Sequence, residues 1–337
     1  MQFLSNYSLK SHNSFGFDIR ARWWAQAKTL ADIGEALVFT EQQSLPLMVL
    51  GEGSNLVLTE DYPGLVLNIC VKGKSVIRED GDYAWVSIGA GENWDAFVRW
   101  CLENRLYGVE NLIAIPGTVG AAPVQNIGAY GVELVSCFDS LEAVARDSGE
   151  VRVFHCSDCE FGYRDSVFKG TQKDRYIILR VVLKLSKTPQ LHTGYGEIEA
   201  ELTQMDAVAE PASVAQAVAR IRARKLPDPQ QLGNAGSFFK NPLVSRTRFE
   251  ELRQKYPDIV GYDNGDQVKL AAGWLVDFCG WKGFRHGDAG VHSRQALVLV
   301  NHGSATGADI IELAERVKAS VAETFGVSLE LEPRVYP

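Results

Sequence analysis

From residue 46 to residue 150 the chain alternates short β-type runs with glycine turns and leaves little room for helix. The runs are Pro46 to Leu50, Leu56 to Leu58, Leu65 to Ile69, Trp85 to Ile88 and Ser140 to Ala145. Apolar runs this short, bounded by turn residues, read as strands. One amphipathic helix interrupts them, from about Asn93 to Glu103: Trp94, Phe97, Val98 and Cys101 recur on one face, and Glu92 and Asn93 stand where exposed amides need a cap. A doubly wound sheet needs strand and helix in regular alternation, so this irregular mixture predicts an α+β fold.

Near residue 200 the character changes. Ser213 to Lys225 reads as an alanine-rich helix with Val214, Val218 and Ile221 inward, stopped by Pro227 and Pro229. Another helix, from about Ala308 to Thr324, places Ile310, Ile311, Ala314, Val317 and Val321 at core spacing, with a Glu312/Arg316 pair outside and Gly326 as the stop. A terminal strand, Val327 to Tyr336, follows; period two sets Glu330, Glu332 and Arg334 on one face and Leu329, Leu331 and Val335 on the other. At 337 residues the chain is too long for one ordinary core and implies two or three domains.

The charge balance, 34 basic against 42 acidic residues for a net −8, argues against a nucleic-acid surface while leaving room for local basic pockets. Met1 to Lys10 has neither the basic nor the apolar region of a secretory leader, and apolar runs elsewhere are broken short of spanning length, so no membrane partner is expected. Six scattered cysteines then read as reduced thiols in a cytosol. Cys156 and Cys159, beside His155, have the spacing of half a metal site, but no second pair follows; they are expected to be packing residues, with no metal.

Three segments stand out as places for chemistry. Leu47 to Leu58 reads as strand, glycine turn (Gly51-Glu52-Gly53-Ser54-Asn55) and strand. It is not a Rossmann fingerprint, since no helix opens after the glycines; its backbone N–H groups suit either an anion nest or a plain tight hairpin. Ile115 to Gly131 is long, small and apolar, fit to lie against a flat ligand or to pack under a sheet. Two such segments favour a dinucleotide. The third, Gly233-Asn234-Ala235-Gly236-Ser237-Phe238-Phe239-Lys240-Asn241-Pro242, holds one hydroxyl in a glycine-flanked, aromatic-backed turn. It lacks the spacing of a nucleophile elbow and a nearby histidine, which leaves a proton-donating serine or a turn serine bonded to its own backbone.

Gly51-Glu52-Gly53-Ser54-Asn55, Ile115-Pro116-Gly117-Thr118-Val119-Gly120, Gly128-Ala129-Tyr130-Gly131, Tyr163-Arg164-Asp165-Ser166-x-Phe168-Lys169 and Gly236-Ser237-Phe238-Phe239-Lys240-Asn241-Pro242 together resemble the UDP-N-acetylenolpyruvoylglucosamine reductase family, in order, over nearly the whole chain. The resemblance implies a bacterial, cytoplasmic, monomeric enzyme that uses FAD and NADPH to reduce an enol ether on a UDP-sugar, making UDP-N-acetylmuramate for peptidoglycan. It implies a two-lobed FAD-binding domain of the vanillyl-alcohol-oxidase/PCMH type over residues 1–200, with lobes of about 1–70 and 71–200. A smaller α+β substrate-binding domain would occupy 201–337, its last strand returning catalytic residues to the flavin site.

Carried over position by position, the resemblance makes Ser237 the proton donor, Arg164 the guanidinium that holds the substrate carboxylate, and Glu332 the catalytic glutamate, with Glu330 one pleat away as its alternative. FAD would lie against Gly51, Glu52, Gly53, Ser54, Asn55, Pro116, Gly117, Thr118, Gly120, Ala121, Gln125, Asn126, Gly128 and Gly131. The UDP-sugar would meet Tyr130, Tyr195, Lys225, Asn241, Gln295 and Arg334, and Tyr195 in its loop is similar to the branch of the family in which a tyrosine closes over substrate. Pro333 departs from the aliphatic residue usual there. The rival readings are a carbohydrate or alcohol oxidase on the same flavin fold, and a flavin- or nucleotide-binding module without turnover.

Overall fold

Apolar residues run almost unbroken along Tyr176–Ser186, and that strand lies at the centre of a five-stranded sheet. Its neighbours are Phe138–Ala145, with Val151–His155 beyond it, and Tyr83–Gly89, with Lys74–Glu79 beyond it. Every pairing is antiparallel. Ile177, Val181, Leu183 and Leu185 are fully enclosed because the helix Trp94–Glu103 and the glycine-rich segment after it cover one face. In that helix the Asn93 side chain accepts from the Ala96 N–H, capping the first turn, and Trp94, Phe97, Val98 and Cys101 are buried. The expected helix, its cap and its inward face are all present.

The computed structural model describes all 337 residues and separates them into two units. The first comprises Met1–Tyr7, Ala21–Glu52 and Pro63–Arg224, so it runs past the change of composition near residue 200 and takes in the helix Pro211–Lys225 up to Arg224. Besides the five-stranded sheet it has a four-stranded one, ordered Leu4–Ser8, Arg20–Ala27, Tyr62–Ile69 and Leu47–Leu50, whose last pair is parallel. The helix Leu30–Gln42, with a Thr29/Asp32 capping box, connects the strands Arg20–Ala27 and Leu47–Leu50. This helix and the strands Arg20–Ala27 and Tyr176–Ser186 were not among the expected elements.

The second unit comprises Ser8–Arg20, Gly53–Tyr62 and Lys225–Pro337. Its antiparallel sheet runs Gly233–Ser237, Val298–Asn301, Ala289–Val291, Arg285–His286, and the helix Gly307–Phe325 packs on it with Ile310, Leu313, Ala314, Val317 and Val321 buried. That helix is one residue longer at each end than the expected span and stops at Gly326, whose φ of +64° suits glycine. Two details differ from expectation. Arg316 makes no ion pair with Glu312; its guanidinium lies over the rings of Trp281 and Phe284, 5.4 and 5.1 Å from their centroids. The terminal strand is short, Arg334–Tyr336, and pairs in parallel with Leu56–Leu58. Pro333, with no N–H to donate, precedes it, so Glu330, Glu332 and Arg334 do not form one strand face, and Val335 is exposed.

Candidate active site

In the first unit the two glycine-rich segments are tied together by a carboxylate. Glu52 accepts from Asn93 Nδ2 at 2.8 Å and from the Gly117 N–H at 3.1 Å, so each of its oxygens has a partner in the chain. A Cβ on Gly51 would come 2.6 Å from Thr118 Oγ1, and one on Gly120 would come 2.5 Å from the Ala90 Cβ. Only glycine permits that approach. The segment continues as a 3-10 helix, Val119–Gln125, ending at Asn126 in the left-handed region with φ +44°. Asn126 is buried and donates through Nδ2 to Glu133 Oε2 and the Gly162 carbonyl, while its Oδ1 accepts from the Val135 N–H. It is the brace of the segment.

Three further non-glycine residues here are left-handed: Ala114 at φ +58°, Tyr130 at +51° and Arg164 at +54°. Such backbone costs about 1 kcal/mol or more per residue and gathers where function demands a position. Gly162 and Asp165 close a tight hairpin through mutual backbone bonds of 3.1 and 3.2 Å, which puts Arg164 at its tip. Arg164 Nη2 donates to the Gly128 carbonyl, and a Cβ on Gly128 would lie 2.9 Å from Arg164 Nη1. Thus Gly128 is the residue that admits the guanidinium. Tyr130 follows closely; its ring meets that of Tyr195 edge-on at 6.4 Å, and burial pushes its phenol up from the usual range.

Arg222, absent from the expected set, belongs to this group. It is half-buried on the helix Pro211–Lys225, and its Nε donates to the Ala114 carbonyl at 3.2 Å. Burial lowers its pKa, with Tyr130 and Arg164 both close enough to act on it. Two guanidiniums beside a half-buried phenol make a local positive group that attracts anions despite the net negative charge of the chain. The run Arg220-Ile221-Arg222-Ala223-Arg224-Lys225 carried a hint of this, but only packing distinguishes Arg222, turned inward, from the exposed Arg224.

In the second unit Ser237 ends the strand Gly233–Ser237 opposite Val298, with a register shift that Gly236, at φ +71°, makes possible. Asn234 pins the turn: its Oδ1 accepts from the Gly236 N–H and its Nδ2 donates to the Leu232 and Pro227 carbonyls. No group of its own unit holds the Ser237 hydroxyl, so it is not a serine bonded to its own turn. Phe238 and Phe239 behind it are fully buried. The Glu332 N–H donates to the Phe238 carbonyl at 3.0 Å, which sets Glu332, partly buried, beside the serine strand. Glu330 is exposed and paired with Lys240 at 3.2 Å. The resemblance puts Glu332 at the catalytic position with Glu330 one pleat away as its alternative, and the two differ here in exposure and partner.

The same unit ties its part of the first glycine turn to that strand. The Ser14 N–H donates to the Gly53 carbonyl, the Ser14 carbonyl accepts from the Asn234 N–H, and the Arg334 N–H donates to the Asn55 carbonyl. A Cβ on Gly53, at φ +71°, would come 2.0 Å from the His12 carbonyl oxygen. Arg334 lies 4.4 Å from the Tyr336 ring. Of the other expected substrate residues, Asn241 accepts from the Ala272 N–H at 2.9 Å, Gln295 lies near Gly273, and Lys225 ends its helix. All six cysteines are unpaired; burial pushes the thiols of Cys137 and Cys159 up to about 12, as befits packing residues.

In the first unit the small residues of Pro116 to Gln125, of which Pro116, Gly120 and Ala121 keep exposed surface, and the partly buried guanidiniums of Arg164 and Arg222 fit a dinucleotide such as FAD, which needs flat contact and anion-binding donors. No helix is long and apolar enough to cross a membrane. Comparison with known proteins agrees with this chemistry. Residues 22–155 match the family model of an FAD binding domain, and residues 228–336 match that of the UDP-N-acetylenolpyruvoylglucosamine reductase C-terminal domain. The chain is 54% identical to the UDP-N-acetylenolpyruvoylglucosamine reductase of Pseudomonas aeruginosa over 332 residues, 98% of this chain and 97% of that one. To the enzyme of the same name from Pseudomonas syringae pv. tomato it is 51% identical, with 98% of each chain covered. Among solved structures, the reductase from Thermus caldophilus has a TM-score of 0.67 at 26% identity, covering 100% and 98% of the two chains. The 6-hydroxy-D-nicotine oxidase of Arthrobacter nicotinovorans, at 13% identity and TM-score 0.51 over 97% and 86%, shares the fold alone. The architecture is α+β with an FAD-binding portion of the vanillyl-alcohol-oxidase/PCMH type.

Proposed function

Because the chain belongs to the UDP-N-acetylenolpyruvoylglucosamine reductase family, we propose that it reduces UDP-N-acetylenolpyruvoylglucosamine to UDP-N-acetylmuramate in peptidoglycan precursor synthesis, with NADPH as reductant and FAD as carrier. The observation that carries this reading is family-level identity over essentially the full chain, joined to a serine hydroxyl that its own unit leaves unengaged beside a glutamate. FAD, which the glycine segments would hold, would when bound supply hydride transfer between NADPH and the enolpyruvyl group.

The residues of the chain do the rest. Hydride arrival at the terminal carbon leaves carbanion character on the carbon next to the carboxylate. Ser237 donates the proton there, completing the C–H bond, and is reprotonated in turn through Glu332 or solvent. Arg164 pairs with the substrate carboxylate and stabilises the charge that spreads onto its oxygens; the hairpin and Gly128 hold it in one orientation. Arg222 adds a second positive charge beside Tyr130. The glycine segments hold FAD, with Glu52 and Asn126 bracing them. Tyr130, Tyr195, Lys225, Asn241, Gln295 and Arg334 bind the UDP-sugar. Residues 1–200 form the FAD-binding domain, which also carries Arg164, Tyr130 and Tyr195, and residues 201–337 form the smaller substrate-binding domain, in a monomer of the bacterial cytoplasm.

The test is NADPH consumption by the purified, FAD-loaded protein with and without the UDP-enolpyruvyl sugar. NADPH oxidation that occurs only when the sugar is present is expected. Sugar-independent oxygen consumption would indicate an oxidase, and no oxidation at all would indicate a binding module.

A further inference from the structure

We propose that Asn111 is a positioning residue that sets the spacing of Tyr130 and Tyr195, and so the affinity of the site for the UDP-sugar; this rests on the reading above that both tyrosines bind that substrate. Asn111 lies in the short 3-10 turn Glu110–Leu112 and is 1% exposed. It makes no contact through charge. Its Nδ2 donates one hydrogen to the Tyr130 carbonyl at 2.9 Å and the other to the His192 carbonyl at 2.8 Å. One amide nitrogen therefore fixes the distance between two loops, one bearing Tyr130 and the other reaching Tyr195 three residues later. Its Oδ1 takes no partner, so the whole polar contribution of the side chain is this clamp.

The geometry around the clamp gives it leverage. Tyr130 is held left-handed, and a Cβ on the next residue, Gly131, would come 3.3 Å from the Tyr195 Cβ. The loops are already in van der Waals contact, and a change in their spacing moves one ring against the other. Gly194 and Gly196 flank Tyr195 with nothing within 4 Å of a Cβ placed on either. The loop is also tied at its ends. His192 is held by Asn111, and on the far side Glu197 is held by Arg224, whose fork also takes the buried Glu201 at 2.7 Å. Of these anchors only Asn111 reaches both tyrosine loops. A buried amide whose two hydrogens are both committed is also hard to replace, because a carboxylate or an alkyl group in its place leaves two carbonyls unpaired.

The test compares Asn111→Ala with the native protein in steady-state kinetics and in hydrogen–deuterium exchange of residues 128–131 and 192–197. The expected result is a KM for the UDP-enolpyruvyl sugar raised about tenfold, kcat within about threefold, and faster exchange in both segments. In a Tyr195→Ala background the same substitution is expected to change KM by less than about twofold, because the ring it positions is gone. Should Asn111→Ala fail to fold, Asn111→Ser, which keeps one donor, decides by the same criterion. Exchange unchanged in either segment, or KM increments that multiply independently of Tyr195, would overturn the proposal. A native protein that never consumes NADPH with the sugar sinks the functional reading instead, and the exchange measurement still decides whether Asn111 clamps the loops.

Discussion

Replacing Ser237 by alanine separates chemistry from stability. The strand that carries it is held by backbone bonds, including Phe238 N–H to the Leu297 carbonyl at 2.7 Å, and its hydroxyl is bonded to nothing in its own unit. Truncation therefore leaves no donor or acceptor stranded, and the expected stability change is within about 0.5 kcal/mol. The catalytic expectation is far larger. A positioned general acid contributes roughly 10²- to 10⁴-fold, which at about 1.4 kcal/mol per tenfold is about 3 to 5.5 kcal/mol of barrier. Only the second half-reaction uses the proton. Anaerobic stopped-flow should show flavin reduction by NADPH within about threefold of native, and reoxidation by the UDP-enolpyruvyl sugar slowed at least about 100-fold. Ser237→Cys, which keeps a donor, should recover part of the second rate. Equal losses in both half-reactions, or a drop in melting temperature that accounts for the lost activity, would show that Ser237 supports structure or binding and that the reasoning is wrong.

Other substitutions test the framework. Gly53→Ala puts a methyl group against the His12 carbonyl at a left-handed φ, and is expected to destabilise by about 2 kcal/mol or more, read as a lower thermal midpoint; a midpoint unchanged from native would refute the close approach. Asn126→Ala removes three hydrogen bonds and strands the Val135 N–H, while the Gly162 carbonyl keeps the Asp165 N–H, for an expected loss of about 1 to 3 kcal/mol in denaturant unfolding, against no loss if the brace is dispensable. Stability should also fall on acidification. Burial holds the imidazoles of His12, His292 and His302 below their ordinary 6.5, so as pH drops through 6.5 the unfolded chain takes up protons that the folded one resists. Backbone hydrogen bonds hold Asp32 and Asp309 below the ordinary 3.8 in the same sense. Melting temperature should decline from pH 7.5 to pH 5; a flat or rising profile contradicts the lowered imidazoles.

Local signals carried much of this protein in the sequence itself. The strands of residues 46–150, the helix after Asn93 and the long helix ending at Gly326 rest on periodicity and capping, which act within a few residues of chain and so are written along it. The order of the glycine and serine segments likewise named the family, and with it the chemistry, before any coordinate. Pairing across the chain was a different matter. Glu330 and Glu332 differ by one pleat in sequence, yet only the fold sends one to Lys240 and ties the other to Phe238. Arg316 had a glutamate at helical spacing and instead met two aromatic rings brought from residues 281 and 284, where dispersion and cation–π attraction outweigh an exposed ion pair. Asn111, Ser14 and Arg222 look ordinary in the sequence because a hydrogen-bond partner far along the chain leaves no periodic mark. Tertiary closure decides which distant carbonyl or ring a side chain meets, and that choice is what turns segments of small residues into an arranged site.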